Sequence, residues 1–267
     1  MLLQVYGKPA YCYTGGKPFD PALPCVVFIH GAQHDHSVWA LQSRYFAHHG
    51  HAVLAPDLPG HGRSGGPALT SVDAMAQWIL ALLDAAGVEK ALLAGHSMGS
   101  LIALQAAADA PQRVCKLALL ATAFPMRVSP ALLETSREKP QQAIDMVNIW
   151  SHSGIAQKPS FPGPGFSVQG GNRRLMQRIA QTNPEPVFHT DFSACNAYAG
   201  GEEAARAVTC PTLFLLGQSD QMTPPKAAAR LTTALPQAKV TQLPCGHALM
   251  TDQPDAVLDH LFDFATA

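Results

Sequence analysis

Three side chains of this 267-residue chain have the types and the placement to run acyl transfer. Ser97 stands in Gly95-His96-Ser97-Met98-Gly99, behind the apolar run Ala91-Leu-Leu-Ala94 and ahead of Leu101-Ile-Ala-Leu104. A hydroxyl on so sharp a strand-to-helix turn is lifted clear of the sheet, and neighbours with side chains would collide, so both glycines have a steric reason to be there. A serine hydroxyl is a poor nucleophile until a base takes its proton, and an imidazole base needs an acid to fix its tautomer and stabilise its cation. Asp220 lies four residues past the apolar stretch Leu213–Leu216, and His247 lies four residues past Lys239–Leu243. The order serine, acid, histidine differs from both other common serine-protease orders. A helix starting beneath the serine aims free N–H groups at a developing oxyanion, which makes the N–H of Met98 one candidate donor. The loop after an early strand, His30-Gly31-Ala32-Gln33, offers the N–H of Ala32 as the other.

The elements that must position these groups are legible as runs. Leu2–Val5 and Ala10–Tyr13, parted by Gly7 and Pro9, read as an edge hairpin. Cys25–Ile29, Ala52–Ala55, Ala91–Ala94, Val114–Ala121, Pro211–Leu216 and Lys239–Leu243 read as strands, most of them without alternation, as expected when both faces are covered. Helices are expected between them: Ser37–His49 with Trp39, Leu41, Tyr45 and Phe46 available to pack, a helix capped by Thr70 and Asp73, Ser97–Asp109, a helix from Pro225 to Leu235, and a terminal helix opened by Asp252 and Pro254. Strands alternating with helices imply an α/β fold, a mostly parallel central sheet with helices on both faces and the site at the strand C-terminal ends. From Phe124 to Ala207 the chain is more polar and richer in proline, with helical patches at Pro140–Trp150, Asn172–Gln181 and Ser193–Ala207 and a loop over Lys158–Gly165. We expect a core of residues 1–123 and 208–267 and a helical cap insertion at 124–207.

Composition narrows the function classes. Charged residues are only 14% of the chain against 47% hydrophobic, and the net charge is −1, which gives nucleic acid or an anionic membrane no electrostatic purchase. No apolar run approaches a membrane span and no export signal opens the chain, so a cytoplasmic protein acting on a small molecule is expected. The six cysteines are scattered and read as buried free thiols. His34 and His36 share a loop, but no carboxylate-rich or cysteine pattern accompanies them, so no metal and no cofactor are expected. Arg174 and Arg178 share a helical face that could meet a substrate carboxylate or simply be solvated. Asp220 could alternatively cap the helix after Pro224.

Taken jointly, His30-Gly31, Asp57-Leu-Pro-Gly-His-Gly-Arg-Ser64, Gly95-His-Ser-Met-Gly99, Gly217-Gln-Ser-Asp220 and Gly246-His247 resemble the α/β-hydrolase superfamily, of the small, cap-bearing kind. The resemblance implies that Ser97, Asp220 and His247 form the triad and that 124–207 is the cap, and it makes His30 and His61 residues that hold the loops around the nucleophile. It leaves the substrate open among esters, lactones and carbon–carbon bonds. A hydrolase of small to medium carboxylic esters is the expected function. Alternatives are a lactonase or carbon–carbon bond hydrolase with the same triad, which His96 in place of the usual Asn disfavours for the latter, and a slow-turnover ligand receptor.

Overall fold

The computed structural model describes residues 1–153, 165–183 and 185–267; the loop read over Lys158–Gly165 lies, but for Gly165, outside them. In chain order the elements are β1 (Leu2–Val5), β2 (Lys8–Tyr13), β3 (Cys25–Ile29), α1 (Ala40–His48), β4 (Ala52–Pro56), α2 (Val72–Ala85), β5 (Ala91–His96), α3 (Met98–Asp109) and β6 (Val114–Leu120). There follow α4 (Pro130–Glu138), α5 (Pro140–Ser151), α6 (Gly165–Thr182), α7 (Val187–Ala197) and α8 (Gly201–Ala207), then β7 (Thr212–Gly217), α9 (Ala229–Ala234), β8 (Lys239–Leu243), α10 (Leu249–Asp252) and α11 (Pro254–Thr266).

The strands form one eight-stranded sheet in the order β1-β2-β4-β3-β5-β6-β7-β8. The β1–β2 hairpin turns through Tyr6-Gly7, both at positive φ, and β2 meets β4 antiparallel; from β4 onward every pairing is parallel. The interior strands separate their side chains by parity. Val26 and Phe28 of β3 pack with Trp39, Phe46 of α1 and Leu261 of α11, while Val27 and Ile29 pack with Ile79 and Leu82 of α2 and Leu101 of α3. Helices therefore cover both faces, and each fully buried Leu, Ile or Phe contributes roughly 1.5–3 kcal/mol.

Several boundaries differ from the sequence reading, each for a local reason. The turn at 36–39 is a 3-10 helix capped by Asp35, and α1 begins only at Ala40, leaving Leu41 on the outer surface. Ser71, not Thr70, caps α2, its hydroxyl accepting the Ala74 N–H at 3.1 Å. The expected helix over Ser193–Ala207 is two helices, because the chain breaks at Tyr198-Ala-Gly200 and Gly201 packs directly on the Phe124 ring, where a Cβ would overlap it. Helix α4 carried no prediction. Cys12, Cys25, Cys195 and Cys245 are buried, but Cys115 is exposed and Cys210 half-buried.

Helices α4–α8 leave the sheet after β6 and return at β7, its direct neighbour, with Leu117 opposite Thr212. From this stretch between β6 and β7, Met126, Leu132, Phe188, Phe192 and Tyr198 join the same buried cluster as α2 and α3. Tyr198 adds a hydroxyl donated to Gln105 of α3 at 2.6 Å. No helix among the described residues is long and apolar enough to cross a membrane.

Candidate active site

Four parallel strands deliver the candidate residues at their C-terminal ends: β3 leads to Ala32, β5 to Ser97, β7 to Asp220 and β8 to His247. Ser97 has φ +53° and ψ −119°, a conformation that costs a non-glycine residue about 1–3 kcal/mol and persists only where its surroundings hold it. Here they do: the Ser97 N–H is donated to the Leu120 carbonyl at 2.9 Å, and the Ser100 hydroxyl sits between the Ser97 carbonyl and Thr122 Oγ1 at 2.8 Å from the latter. The glycines are obligatory. A Cβ on Gly95 would overlap the Gly99 carbonyl, and one on Gly99 would overlap the carbonyl oxygen of Ile29.

Asp220 and His247 come together as a buried pair, His247 Nδ1 lying 2.9 Å from Asp220 Oδ2. A carboxylate only accepts, so Nδ1 carries the hydrogen and Nε2 is left as the base. The other oxygen, Asp220 Oδ1, accepts the N–H groups of Met222 and Thr223, each at 2.8 Å, and the Thr223 hydroxyl stands 2.7 Å from Oδ2. Burial opposes the charge, but His247 and these donors outweigh it and hold the Asp220 carboxyl well below the ordinary carboxylate range. The alternative reading of Asp220 as the cap of the helix after Pro224 is not met: the 3-10 turn there has no side-chain cap, and Asp220 takes the N–H groups of Met222 and Thr223 ahead of it. His96 Nε2 donates to the His247 carbonyl at 2.8 Å, and burial, then the nearby His247, push its pKa down to about 3, so it serves as a neutral brace.

Ser97, His247 and Ala32 line one cavity of about 180 Å³ with Met126, Leu132, Trp150 and Phe192 from between β6 and β7. Met98 opens α3, where the first N–H groups have no partner within the helix. The Ala32 N–H has no hydrogen-bond acceptor among the described residues. Gly31 lets this loop approach: a Cβ there would press on Ser97 Cβ at 3.3 Å and His96 Nδ1 at 3.2 Å. Arg174 and Arg178 do not reach this cavity; they line an open outer groove, where Arg178 pairs with Asp35 at 2.7 Å. Asp35, His36 and Asp57 face one another, but their atoms are engaged in holding loops, by Ser37, Arg178 and the Arg63 N–H.

His30 and His61 hold loops, as the resemblance implied. His30 Nε2 accepts the Leu58 N–H at 3.0 Å, and burial, then His61, lower its pKa to about 4. His61 Nε2 lies 2.9 Å from Asp191 Oδ2 on α7, and Nδ1 lies 3.0 Å from the Pro59 carbonyl. Both partners accept, so the ring is an imidazolium. Burial disfavours that charge, but the Asp191 carboxylate overrides it and raises the pKa. A raised folded pKa gives stability that is whole below the unfolded value of about 6.5 and is lost as pH rises through the folded one. The Tm difference between the wild type and His61→Gln is therefore expected to be largest near about pH 6 and to shrink at alkaline pH, as differential scanning fluorimetry can read.

Sequence reasoning missed Thr223, Asp252 and Asp191. Asp252 ends α10 instead of opening the terminal helix, and its Oδ2 accepts the N–H groups of Gly246 at 3.0 Å and Ser153 at 2.9 Å, fixing the turn that carries His247.

The sequence profile of the alpha/beta hydrolase family matches residues 26–260. RutD of Klebsiella pneumoniae subsp. pneumoniae, whose name puts carbamate hydrolysis forward as its activity, is 26% identical over 250 residues, covering 88% of this chain and 88% of its own. A dihydrolipoyllysine-residue acetyltransferase component of an acetoin cleaving system from Pseudomonas putida is 41% identical over 111 residues, 41% of this chain. The chain spans only 28% of that relative's length and 25% of its Cupriavidus necator counterpart's. The enol-lactonase of Burkholderia xenovorans LB400 has the same fold over 100% of both chains, with a TM-score of 0.86 at 22% identity. A profile that runs from β3 into α11, on a sheet of this order and register, places the chain in the alpha/beta hydrolase family.

Proposed function

We propose that the protein is a serine hydrolase of small to medium carboxylic esters, with Ser97 as nucleophile, His247 as general base and acid, and Asp220 as the acid that orients it. The observation that carries this reading is the convergence of a strained, partly exposed Ser97 and the hydrogen-bonded His247–Asp220 pair on one largely apolar cavity. In the proposed cycle His247 Nε2 takes the Ser97 proton as Oγ attacks the ester carbonyl. The oxyanion is held by the N–H groups of Ala32 and Met98, where preorganised donors cost no rearrangement during the step. The imidazolium is stabilised by Asp220 and returns the proton to the departing alkoxide. Water activated by the same histidine then releases the acid and restores Ser97. Residues 124–207 serve as a cap in this reading, supplying Met126, Leu132, Trp150 and Phe192 to the acyl pocket.

At about 180 Å³ the cavity is smaller than the ~300–1,000 Å³ typical of sites for drug-sized ligands. Hydrolysis of p-nitrophenyl esters is expected to peak between acetate and hexanoate and to fall steeply by decanoate. Steady-state kinetics across that series test the reading. Activity rising monotonically to decanoate contradicts the pocket assignment, and no ester turnover by folded protein contradicts the function. A lactone is an ester closed on itself and a carbamate presents a similar carbonyl, so γ-lactones and a p-nitrophenyl carbamate belong in the same panel; the 26% identity to RutD over 88% of both chains supports including the latter.

A further inference from the structure

We propose that Asp191, on α7 of the inserted segment, is a positioning residue that sets the candidate oxyanion loop, so that the Ala32 N–H is aimed only when the inserted helices are seated. The inference rests on the serine-hydrolase reading above.

The loop after β3 is not self-supporting. Gln33, directly after Ala32, has φ +57°, a left-handed conformation that a residue with a side chain holds only under constraint. The constraints come almost wholly from the insertion. The Gln33 N–H is donated to Asp191 Oδ2 at 2.8 Å, a charge-assisted bond in a buried site. The Gln33 side-chain amide is donated to the Met176 carbonyl of α6 at 2.9 Å. His34 lies 2.7 Å from the Ala32 carbonyl through Nδ1 and 2.8 Å from Asn172 Oδ1 of α6 through Nε2. The two residues after Ala32 are therefore each tied to helices more than a hundred residues away in sequence.

Asp191 is the strongest of these ties, and its own bonding is lopsided. Gln33 N–H and His61 Nε2 converge on the same oxygen, Oδ2, whereas Oδ1 is buried without a partner among the described residues. A buried ion pair is weak evidence of a contribution to stability, since packed apolar groups commonly do as well. Holding Gln33 left-handed against His61 accounts for a carboxylate kept at this position with one oxygen idle. Without the acceptor, Gln33 relaxes toward right-handed backbone and takes the adjoining Ala32 peptide with it.

The test is the rate at which a p-nitrophenyl alkylphosphonate modifies Ser97 in the full chain, because phosphonylation needs the nucleophile, its base and the oxyanion donors but no particular acyl group. The reaction forms the Ser97 Oγ–P bond and expels p-nitrophenolate, whose release is read directly. Asp191→Ala is expected to slow labelling about 10- to 100-fold, with Asp191→Asn, which keeps an acceptor oxygen in the same shape, falling between it and the wild type. With a p-nitrophenyl ester the loss is expected in kcat, KM changing less than about threefold. Asp191→Asn decides the matter where Asp191→Ala does not fold. Wild-type rates in a folded variant, or a loss confined to KM, overturn the inference while leaving the hydrolase reading intact. A wild type that phosphonate does not label overturns both.

Discussion

Ser97→Ala is expected to lower kcat on a p-nitrophenyl ester by at least about 10⁴-fold while leaving the cooperative melt in place. The size of the effect follows from the proposed cycle, since Ser129 and Thr223, whose hydroxyls also line the cavity, lie off the strained turn at the start of α3, and Thr223 stands by His247 Nδ1 and not by its Nε2; what survives is the contribution of binding and the oxyanion donors alone. The stability half of the experiment is as informative. Alanine at 97 still has to adopt φ +53°, so Ser97→Ala removes the chemistry without removing the strain. Ser97→Gly removes both. It is expected to be as inactive as the alanine variant yet more stable than the wild type by about 1 kcal/mol, or a few degrees in Tm. Turnover retained in pure Ser97→Ala contradicts the assignment, and a Ser97→Gly protein no more stable than Ser97→Ala shows that the turn is unstrained.

Asp220→Asn is expected to cost about 10³- to 10⁴-fold in kcat, and the hydrogen bonds around the carboxylate say why so conservative a change does so much. Oδ1 is pinned by two backbone donors, the Met222 and Thr223 N–H groups at 2.8 Å, so an asparagine must place its own oxygen there. Its NH₂ then occupies the Oδ2 position facing His247 Nδ1 and forces the ring into the other tautomer, with hydrogen on Nε2. A ring in that state cannot take the Ser97 proton. The pH dependence of the wild type has a matching sign. Asp220 is ionised far below its ordinary range, so the pairing it provides is present above about pH 4 and is lost only as pH falls through the depressed folded value. Any activity lost on acidification from neutrality to about pH 5 therefore does not come from protonating Asp220. Solution ¹⁵N spectra of the His247 ring, with the pH–rate profile of both proteins, check the tautomer and the sign.

The interior of the sheet was legible because parallel strands buried on both faces write themselves as unbroken apolar runs, as Cys25–Ile29 does; the mostly exposed edge strand Lys239–Leu243 also begins and ends where the sequence reading placed it. The turn at Ser97 was legible because its steric demands fall on two glycines two residues away on either side. Asp220 and His247 could be picked out by their distance from strand ends, which is a property of the chain's path. Thr223, Asp252 and Asp191 have no such mark. Each acts through a bond to a group remote in sequence or through a backbone N–H, and such bonds leave no periodicity. The helices between β6 and β7 were the least legible part for a related reason: α4 packs on α5 and α7, and the break between α7 and α8 depends on packing against Phe124 and α3, not on local pattern.

The insertion departs from β6 and returns on β7, strands that lie side by side in register. A segment hung between adjacent anchors is a replaceable module as far as the sheet is concerned. A different set of helices could be transplanted between Thr122 and Thr212 without disturbing a single strand pairing. On the proposal above, a chimera whose graft also covered the apolar surface of α3 would still be a poor catalyst unless it carried, at the place of Asp191, an acceptor for the Gln33 N–H. On that proposal, exchange of this segment is constrained less by where it joins than by one carboxylate in its interior.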